Sequence, residues 1–407
     1  MTPKLRFKGF TDPWEQRKLG DVLEDMYNGQ TPSRNKDAYW KGDISWLSGG
    51  ELNRGIVSES IEKITMDGKQ SANLKIVPKG TFVMAVTGLE APVTRGNCAM
   101  LGFDTTLNQS CMALFPKKDL LGSEFLFQWY LKFGEVYGIN YTQGTKQQNY
   151  SAEVIKILPI TLPSIEEQNK ISEYLFKIDN LITLHQREVD TLTNIKKGLM
   201  QKIFSQEIKF KSDDGSEFPD WVKEPMKNLG SFSKKGTLVK KDALGSLVPC
   251  VLYGHVYTDY NEVIDFFKYY TDSNKNVFAY KNDVLFPAST TGDAESLISP
   301  SSVEVEQIAL GRDIIVFRPQ NNVSGKYISY LINNIMRKEF AQHAQGSSVI
   351  HIQIKNLEKI FISIPCLEEQ KKITDCLSAM DAKIALARKE LETLKSIKKG
   401  FLQQMFV

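Results

Sequence analysis

Apolar residues recur at heptad spacing in two stretches, residues 162–204 and 364–406, which align without a gap at an offset of 202. Of the 43 aligned positions 19 are identical, so the two stretches are copies of one unit. Spacings of four and three predict two long helices, each with an a/d seam that needs a helical partner. The seam positions are Ile171, Leu175, Ile178, Ile182, His185, Val189 and Leu192, and Ile373, Leu377, Met380, Ile384, Ala387, Leu391 and Leu394.

Polar residues support the same helices. Ser164 and Glu167 form a candidate capping box at the first start, where the second copy has Cys366. Acidic residues crowd both starts and lysines both ends, as the helix dipole favours. Gly198 and Gly400 occupy matching interior positions, which a close helix crossing or a nearby helix end would explain.

The simplest arrangement packs the two helices antiparallel, so that a pseudo-twofold axis relates two globular domains. The alternative is that each helix packs on its own domain. The duplication extends to residues 5–22 and 208–232, which share a Phe-Lys pair, Pro, Trp and Leu-Gly. We therefore predict globular domains at 1–163 and 207–365 and helices at 164–206 and 366–407; this period is too long for a solenoid.

Within the globular domains, strands and helices mix without regular alternation. Buried strands are predicted at 81–88, 107–115, 284–292 and 308–317, and helices at 123–137 and 324–342. This pattern favours an α+β class with two similar mixed α/β domains over a doubly wound sheet.

The amino-acid composition further restricts the class of protein. Of 407 residues 42% are hydrophobic and 24% charged, which is typical of a globular protein, and the net charge of +3 is only mildly basic. No signal peptide or membrane-spanning run is recognisable. The five cysteines form no CxxC pair, so we expect reduced thiols in a cytoplasmic protein without disulfides.

The sequence lacks recognisable catalytic motifs. It has no GxGxxG or P-loop, and nothing resembles the tetrapeptide of DNA amino-methyltransferases. The four histidines have no metal-ligand spacing, and Glu207-Ile208-Lys209 lacks the upstream Asp of a nuclease site. These features indicate a recogniser or scaffold that is not catalytic by itself and binds no metal.

Two loop regions are candidates for ligand contact. Residues 28–53 interleave Arg and Lys with Tyr and Trp, which suits a surface that follows phosphates, although a surface loop over buried tryptophans explains it too. The segments from Gly144 and Gly346 share their strand-like ends but differ at their tips. The tips would differ in this way if the two domains bind different targets, or if the loop sequences have drifted neutrally.

Two dissimilar domains, each followed by a helix that opens P-x-x-E-E-Q and closes I-K-K-G, resemble the DNA-specificity subunit of type I restriction–modification systems. The segments 160–204 and 362–406 carry the resemblance, with 30–47 and 252–261 similar to openings of target-recognition domains. The resemblance covers essentially the whole chain.

This resemblance implies that each domain reads one half of a split double-stranded DNA target while the paired helices set the spacer. It implies two modification subunits with S-adenosylmethionine, which methylate adenine N6, and restriction subunits that use ATP and Mg. None of these cofactors is expected on this chain, and no membrane is involved.

Loop residues able to reach phosphates or base edges are the predicted DNA contacts, and some are expected to be structural instead. They are Gln30, Thr31, Ser33, Arg34, Lys36, Arg95, Thr145, Lys146, Gln147, Gln148 and Asn149 in the first domain, and Tyr253, His255, Tyr257, Thr290, Thr291, Arg312, Ser347, Ser348 and His351 in the second. One rival is a coiled-coil scaffold whose domains bind proteins; another is a self-sufficient enzyme, which the missing motifs disfavour.

Overall fold

A computed structural model describes residues 2–142 and 148–407. Its contacts divide the chain into two compact units. The first unit is Met1–Arg187 with Arg388–Val407, and the second unit is Glu188–Ala387. Each unit therefore contains one globular head, the beginning of one long helix and the end of the other.

The described residues form strands and helices that we number in chain order. The first head and its helix contain β1 (Glu15–Lys18), β2 (Leu23–Asn28), β3 (Trp40–Leu47), β4 (Ile56–Val57), β5 (Glu62–Ile64), α1 (Met66–Ser71), β6 (Phe82–Ala85), β7 (Cys98–Leu101), β8 (Thr106–Leu107), β9 (Cys111–Pro116), α2 (Ser123–Asn140), α3 (Ala152–Ile157), β10 (Pro159–Leu162) and α4 (Ile165–Phe204).

The second head repeats this order with additional short elements. It contains β11 (Val222–Pro225), α5 (Met226–Leu229), β12 (Gly230–Ser233), β13 (Val248–Val251), α6 (Tyr253–Thr258), β14 (Val263–Ile264), β15 (Tyr269–Thr271), β16 (Phe278–Tyr280), β17 (Val284–Pro287), β18 (Ser289–Thr290), α7 (Ala294–Leu297), β19 (Ser301–Val303), β20 (Gln307–Leu310), β21 (Ile314–Pro319), α8 (Gly325–Leu331), α9 (Arg337–Ala341), β22 (Ile350–His351), α10 (Ile354–Leu357), β23 (Phe361–Ile364) and α11 (Leu367–Met405). A π-helical turn, Ile332–Met336, joins α8 to α9.

The two heads share one sheet topology. In the first, the larger sheet has the order β2-β9-β6-β7-β4 and the smaller β5-β3-β8; in the second, the orders are β12-β21-β17-β19-β14 and β15-β13-β20-β16. The pairs β1-β10 and β11-β23 also correspond. Mixed sheets with helices confirm the predicted α+β class and the two similar domains.

The core of the first head forms where β6 packs under α2. All four residues of β6 are buried, and Phe82 contacts Tyr130 of α2 with ring centroids 5.6 Å apart. The same core takes in Ile171 and Leu175 from the beginning of α4. The uninterrupted apolar run of β6 is therefore explained by burial on both of its faces.

In the first unit, the beginning of α4 runs antiparallel to the end of α11. The rings of Tyr174 and Phe401 are 5.2 Å apart, and Asp179 pairs with Lys398 at 2.5 Å, so a later residue of α4 meets an earlier residue of α11. The second unit repeats the contact, because Lys196 pairs with Asp381 at 2.6 Å. The two long helices thus pack against each other, which confirms the antiparallel prediction. Each helix also packs on a head, so the alternative arrangement is present as well.

The glutamine of each E-E-Q motif joins its helix to its head. Gln168 is fully buried; its Oε1 accepts from the Gly122 N–H at 3.0 Å, and its Nε2 donates to the carbonyls of Leu120 and Pro163 at 2.9 and 3.0 Å. One side chain thereby fixes the start of α2 against the start of α4.

Gln370 makes the same three bonds in the second unit. Its Oε1 accepts from the Ser324 N–H at 2.8 Å, and its Nε2 donates to the carbonyls of Asn322 and Pro365 at 3.2 and 2.8 Å. Each partner is 202 residues beyond its counterpart. The joint between head and helix is thus duplicated atom by atom.

Two details differ from the sequence expectations. The Ser164 hydroxyl accepts from the Glu167 N–H at 3.4 Å, but the Glu167 carboxylate binds Arg6, so only half of the predicted capping box forms. Neither explanation of Gly198 and Gly400 is right. Both helices continue beyond them, and a Cβ at either position would meet no described atom within 4 Å apart from its chain neighbours and the backbone of its own helix.

Candidate nucleic-acid interface

Most of the predicted contact residues lie at one edge of the larger sheet. In the first head this edge is where β2 and β6 end and β9 begins, since Asn28 pairs with Met112 and Ala85 with Cys111. We call residues 28–36, 86–97, 108–110 and 148–150 the first loop edge. Antiparallel pairing brings these loops together although they are distant in sequence.

Backbone hydrogen bonds connect the loops of this edge. The Val86 N–H donates to the Ser110 carbonyl at 2.9 Å, and the Leu89 N–H donates to the Gln148 carbonyl at 3.0 Å. The Gln30 N–H donates to the Leu107 carbonyl at 3.0 Å. The loops therefore form one continuous surface.

The second head has an equivalent second loop edge, residues 234–239, 252–258, 288–293, 311–313 and 345–351. The Ala288 N–H donates to the Asp313 carbonyl at 2.8 Å, as Val86 does to Ser110. The Thr237 N–H donates to the Leu310 carbonyl at 3.1 Å. The same framework thus carries different side chains in the two heads.

At the first loop edge, Arg34 is exposed but already bound. Its guanidinium donates to Glu62 at 2.5 and 2.8 Å and lies 3.8 Å from the ring centroid of Trp40. The hydrogen bond to Glu62 raises the pKa of Arg34. A phosphate contact by Arg34 would have to displace or share this ion pair.

The predicted contact residues near Arg34 are exposed or half-buried. Gln30 is exposed, and its carbonyl accepts from the Trp46 Nε1–H at 3.0 Å. The Thr31 hydroxyl donates to the Gln109 amide oxygen, and Ser33 and Lys36 are exposed. The loop 30–36 therefore presents polar side chains to solvent and covers buried Trp46.

Arg95 lies on the same edge with its donors turned inward. Its Nε and Nη2 donate to the carbonyls of Leu89 and Glu90 at 3.0 and 3.1 Å. Gln148 and Asn149 are half-buried beside this turn. The remaining predicted contacts, Thr145, Lys146 and Gln147, lie outside the described residues.

In the second head, His255 closes the first turn of α6. The Leu252 N–H donates to its Nδ1 at 3.3 Å, and its ring stacks on Tyr269 with centroids 3.6 Å apart. Burial lowers the pKa of His255, which favours the neutral acceptor form. Tyr253 and Tyr257 extend from the same turn with ring centroids 6.4 Å apart.

The other predicted contacts of the second head meet around β18 and β22. Ser289 pairs with His351, which brings Thr290 next to the loop that contains Ser347 and Ser348. Thr291, Ser347, Ser348 and His351 are exposed, whereas Thr290 is buried and accepts from the Gly292 N–H at 3.0 Å. Arg312 is exposed on the adjoining turn.

Sequence reasoning missed two residues of the first head: Gln109, which belongs to the first loop edge, and Glu51, which lies outside it. Glu51 accepts from the Ser48 N–H at 2.9 Å, the bond that His255 makes in the second head. Gln109 occupies the turn position that Arg312 occupies in the second head. Aligning WLSGGEL with CVLYGHV, and NQS with GRD, would have revealed both.

The chemistry of the site fits binding by polar side chains. Across residues 2–142 and 148–407 no group of three or more His, Cys, Asp or Glu is placed to hold a metal ion. All five cysteines are free, and burial raises the pKa of the Cys98 thiol to about 12, which disfavours the reactive thiolate form. No helix in the described part of the chain is long and apolar enough to span a membrane.

Duplicated α+β heads with polar loop edges, joined by antiparallel helices, define a two-headed recognition protein. Residues 11–194 and 220–396 match the type I restriction modification DNA specificity domain. The chain belongs to this family and is a specificity subunit of a type I restriction–modification system. Such a subunit is not itself catalytic.

Relatives match nearly the whole chain. The type I restriction enzyme MjaVIII specificity subunit of Methanocaldococcus jannaschii is 24% identical, covering 96% of this chain and 91% of that protein. The putative MjaX specificity subunit of the same organism is 26% identical, covering 96% and 92%. The chain therefore aligns with whole subunits and not with a single domain of them.

Solved structures share the fold. The crystal structure of a type I restriction–modification S subunit from M. genitalium has a TM-score of 0.67 at 17% identity, covering 100% of this chain and 99% of that one. A chain from a study of complex assembly and conformational transition of the type I system has a TM-score of 0.54 at 15% identity, with 98% and 99% coverage.

Proposed function

We propose that each head reads one half of a bipartite double-stranded DNA target through its loop edge. The observation that carries this proposal is the matched hydrogen-bond framework of the two edges with its different side chains. A constant framework presents side chains at the same depth, and their chemistry then selects the bases. Major-groove patches about 34 Å apart would suit two such readers.

The long helices are proposed to dock the catalytic partners. Large apolar side chains are exposed on them, namely Leu181, Leu184, Ile195, Leu386 and Ile397. Such residues are typical of a surface that a partner covers. We assign this surface to two modification subunits, which carry S-adenosylmethionine and methylate adenine N6, with restriction subunits that supply ATP- and Mg-dependent steps.

The test is to co-express the chain with its modification subunit and to sequence host DNA for N6-methyladenine. The expected result is a split motif that is methylated only when this chain is present. Introducing negative charges into the exposed apolar surface of the helices, as in Leu184→Glu with Leu386→Glu, should prevent assembly and remove the motif.

Two controls make the experiment specific. The single substitution Lys8→Glu, on an exposed residue outside both helices and both edges, should leave assembly and motif unchanged. An assembled complex that binds S-adenosylmethionine yet methylates no chain-dependent motif would reject the proposal. That result would favour a scaffold whose heads bind proteins.

A further inference from the structure

Both loop edges contain the same three-residue turn at their centre. In the first head Asn108-Gln109-Ser110 joins β8 to β9, and in the second Gly311-Arg312-Asp313 joins β20 to β21. The turns are anchored alike, because the Asn108 N–H donates to Leu47 at 2.9 Å and the Gly311 N–H to Val251 at 2.7 Å. The middle residues, Gln109 and Arg312, are therefore structural counterparts.

The guanidinium of Arg312 is available for a ligand. Arg312 is exposed, and among the described residues its side chain has no hydrogen-bond or ion-pair partner. The adjacent Asp313 is paired instead with Lys234 at 2.7 Å. The other arginines of the heads and their entry segments are bonded to protein groups: Arg6, Arg17, Arg34, Arg54, Arg95, Arg318 and Arg337.

Gln109 is also exposed, and its position is fixed. Its backbone carbonyl accepts from the Asn28 Nδ2–H at 3.0 Å, and its amide oxygen accepts from the Thr31 hydroxyl. The amide nitrogen has no partner among the described residues. The oxygen keeps a second lone pair, so the side chain can still donate one bond and accept another.

We infer that Gln109 and Arg312 are the matched base-reading residues of the two heads. Arg312 pairs with a guanine through its O6 and N7, and Gln109 pairs with an adenine through its N7 and N6 amino group, each in its own half-site. Both pairings are bidentate and fit the donors and acceptors that the two side chains present. This inference rests on the proposed function and assigns residues within it.

Arginine could instead neutralise a phosphate, and lysine separates the two roles. Lys keeps the charge for a phosphate but loses the planar fork that pairs with guanine. The test therefore uses Arg312→Lys and Arg312→Gln in the complex with the modification subunit. Lys281→Gln is the matched control, because Lys281 is exposed in the same head at the opposite end of β17.

Both Arg312 variants should relax one guanine position in one half-site of the methylated motif. Preference for that base should fall roughly ten- to a hundredfold, the discrimination expected of a bidentate pair. The other half-site should not change, and Lys281→Gln should reproduce the wild-type motif. Gln109→Ala should relax one adenine position in the opposite half-site.

Other outcomes would overturn the inference. A wild-type motif retained by both variants, with methylation reduced at all sites only by Arg312→Gln, would identify a phosphate contact, because lysine can also donate to guanine. An unchanged motif in both variants would show that Arg312 reads no base. If the wild-type complex methylates no chain-dependent motif, the proposed function fails as well, so the two failures are distinguishable.

Discussion

Glu167 and Glu369 occupy the same place in the two helices but have different partners. Glu167 is buried and receives two hydrogen bonds from Arg6, at 2.9 and 2.6 Å. Glu369 is 4% exposed and accepts from the Trp221 Nε1–H at 3.0 Å. Burial raises the pKa of Glu369, because its charge is desolvated and no cation among residues 2–142 and 148–407 is hydrogen-bonded to it.

This difference predicts that replacing glutamate by glutamine has different effects on stability at the two positions. Glu167→Gln should lower the free energy of unfolding by about 2 kcal/mol, because it leaves Arg6 without its ionised partner. Glu369→Gln should leave stability at neutral pH equal or higher, since the amide still accepts from Trp221. Urea unfolding of the full chain measures both.

The pH dependence provides the control. A raised pKa means that the native state binds the proton of Glu369 more tightly than the unfolded state does. Stability of the wild type should therefore fall as pH rises from the usual carboxyl range through the raised pKa, and Glu369→Gln should lack this component. An identical pH profile for both proteins would contradict the assignment.

At the scale of the element, heptad spacing was enough to predict the long helices and their seams. Ile171, Leu175, Ile373 and Leu377 are almost completely buried, as the a/d pattern requires. The glycines were not explained by that pattern. In the described structure, neither Gly198 nor Gly400 ends a helix, and no other element packs closely against either of them.

Gly198→Ala and Gly400→Ala should each raise the free energy of unfolding by about 1 kcal/mol. Alanine reduces the backbone entropy of the unfolded chain, and its methyl group meets no described atom within 4 Å beyond its chain neighbours and its own helix backbone. Gly325→Ala is the control in a helix, since its Cβ would lie 2.2 Å from the Asn282 carbonyl oxygen and should destabilise. Thermal unfolding distinguishes the three variants, and a loss at Gly198 would indicate a covered face.

At the scale of the molecule, each head is completed by a helix end from the other half of the sequence. Phe406, which directly follows α11, is 4% exposed in the core of the first head. Its ring lies 5.2 Å from Phe125 and 6.2 Å from Trp14, centroid to centroid. Phe204, at the end of α4, contacts Trp221 and Tyr327 in the second unit.

Phe406→Ala should destabilise the first unit by about 3 kcal/mol, the usual effect of removing a buried aromatic ring. Hydrogen exchange followed by mass spectrometry should show lost protection in peptides of the first head. Phe204→Ala is the reciprocal variant and should affect peptides of the second head. Equal loss in both heads from either variant would show that the two units unfold together.

Some features of the site could be read from the sequence, and others needed the fold. The candidate loop 28–53 was recognisable because basic and aromatic residues alternate in it, and the segment from Gly346 because its tip differs from that of the matching segment from Gly144. The inward bonding of Arg34 and Arg95 was not, because an unpaired arginine and a paired one look the same in a sequence. Gln109 was missed because a single polar residue in a short turn has no periodic signal.

The sequence by itself determined the duplication, the long helices and the α+β class, because these follow from local periodicity and from identity between the two copies. Only the tertiary structure decided which residues share a loop edge and which helix end completes which head. Those contacts join residues far apart in the chain, such as Arg34 with Glu62 and Trp14 with Phe406. The local sequence pattern does not predict such pairs, because they come into contact only when the whole chain is folded.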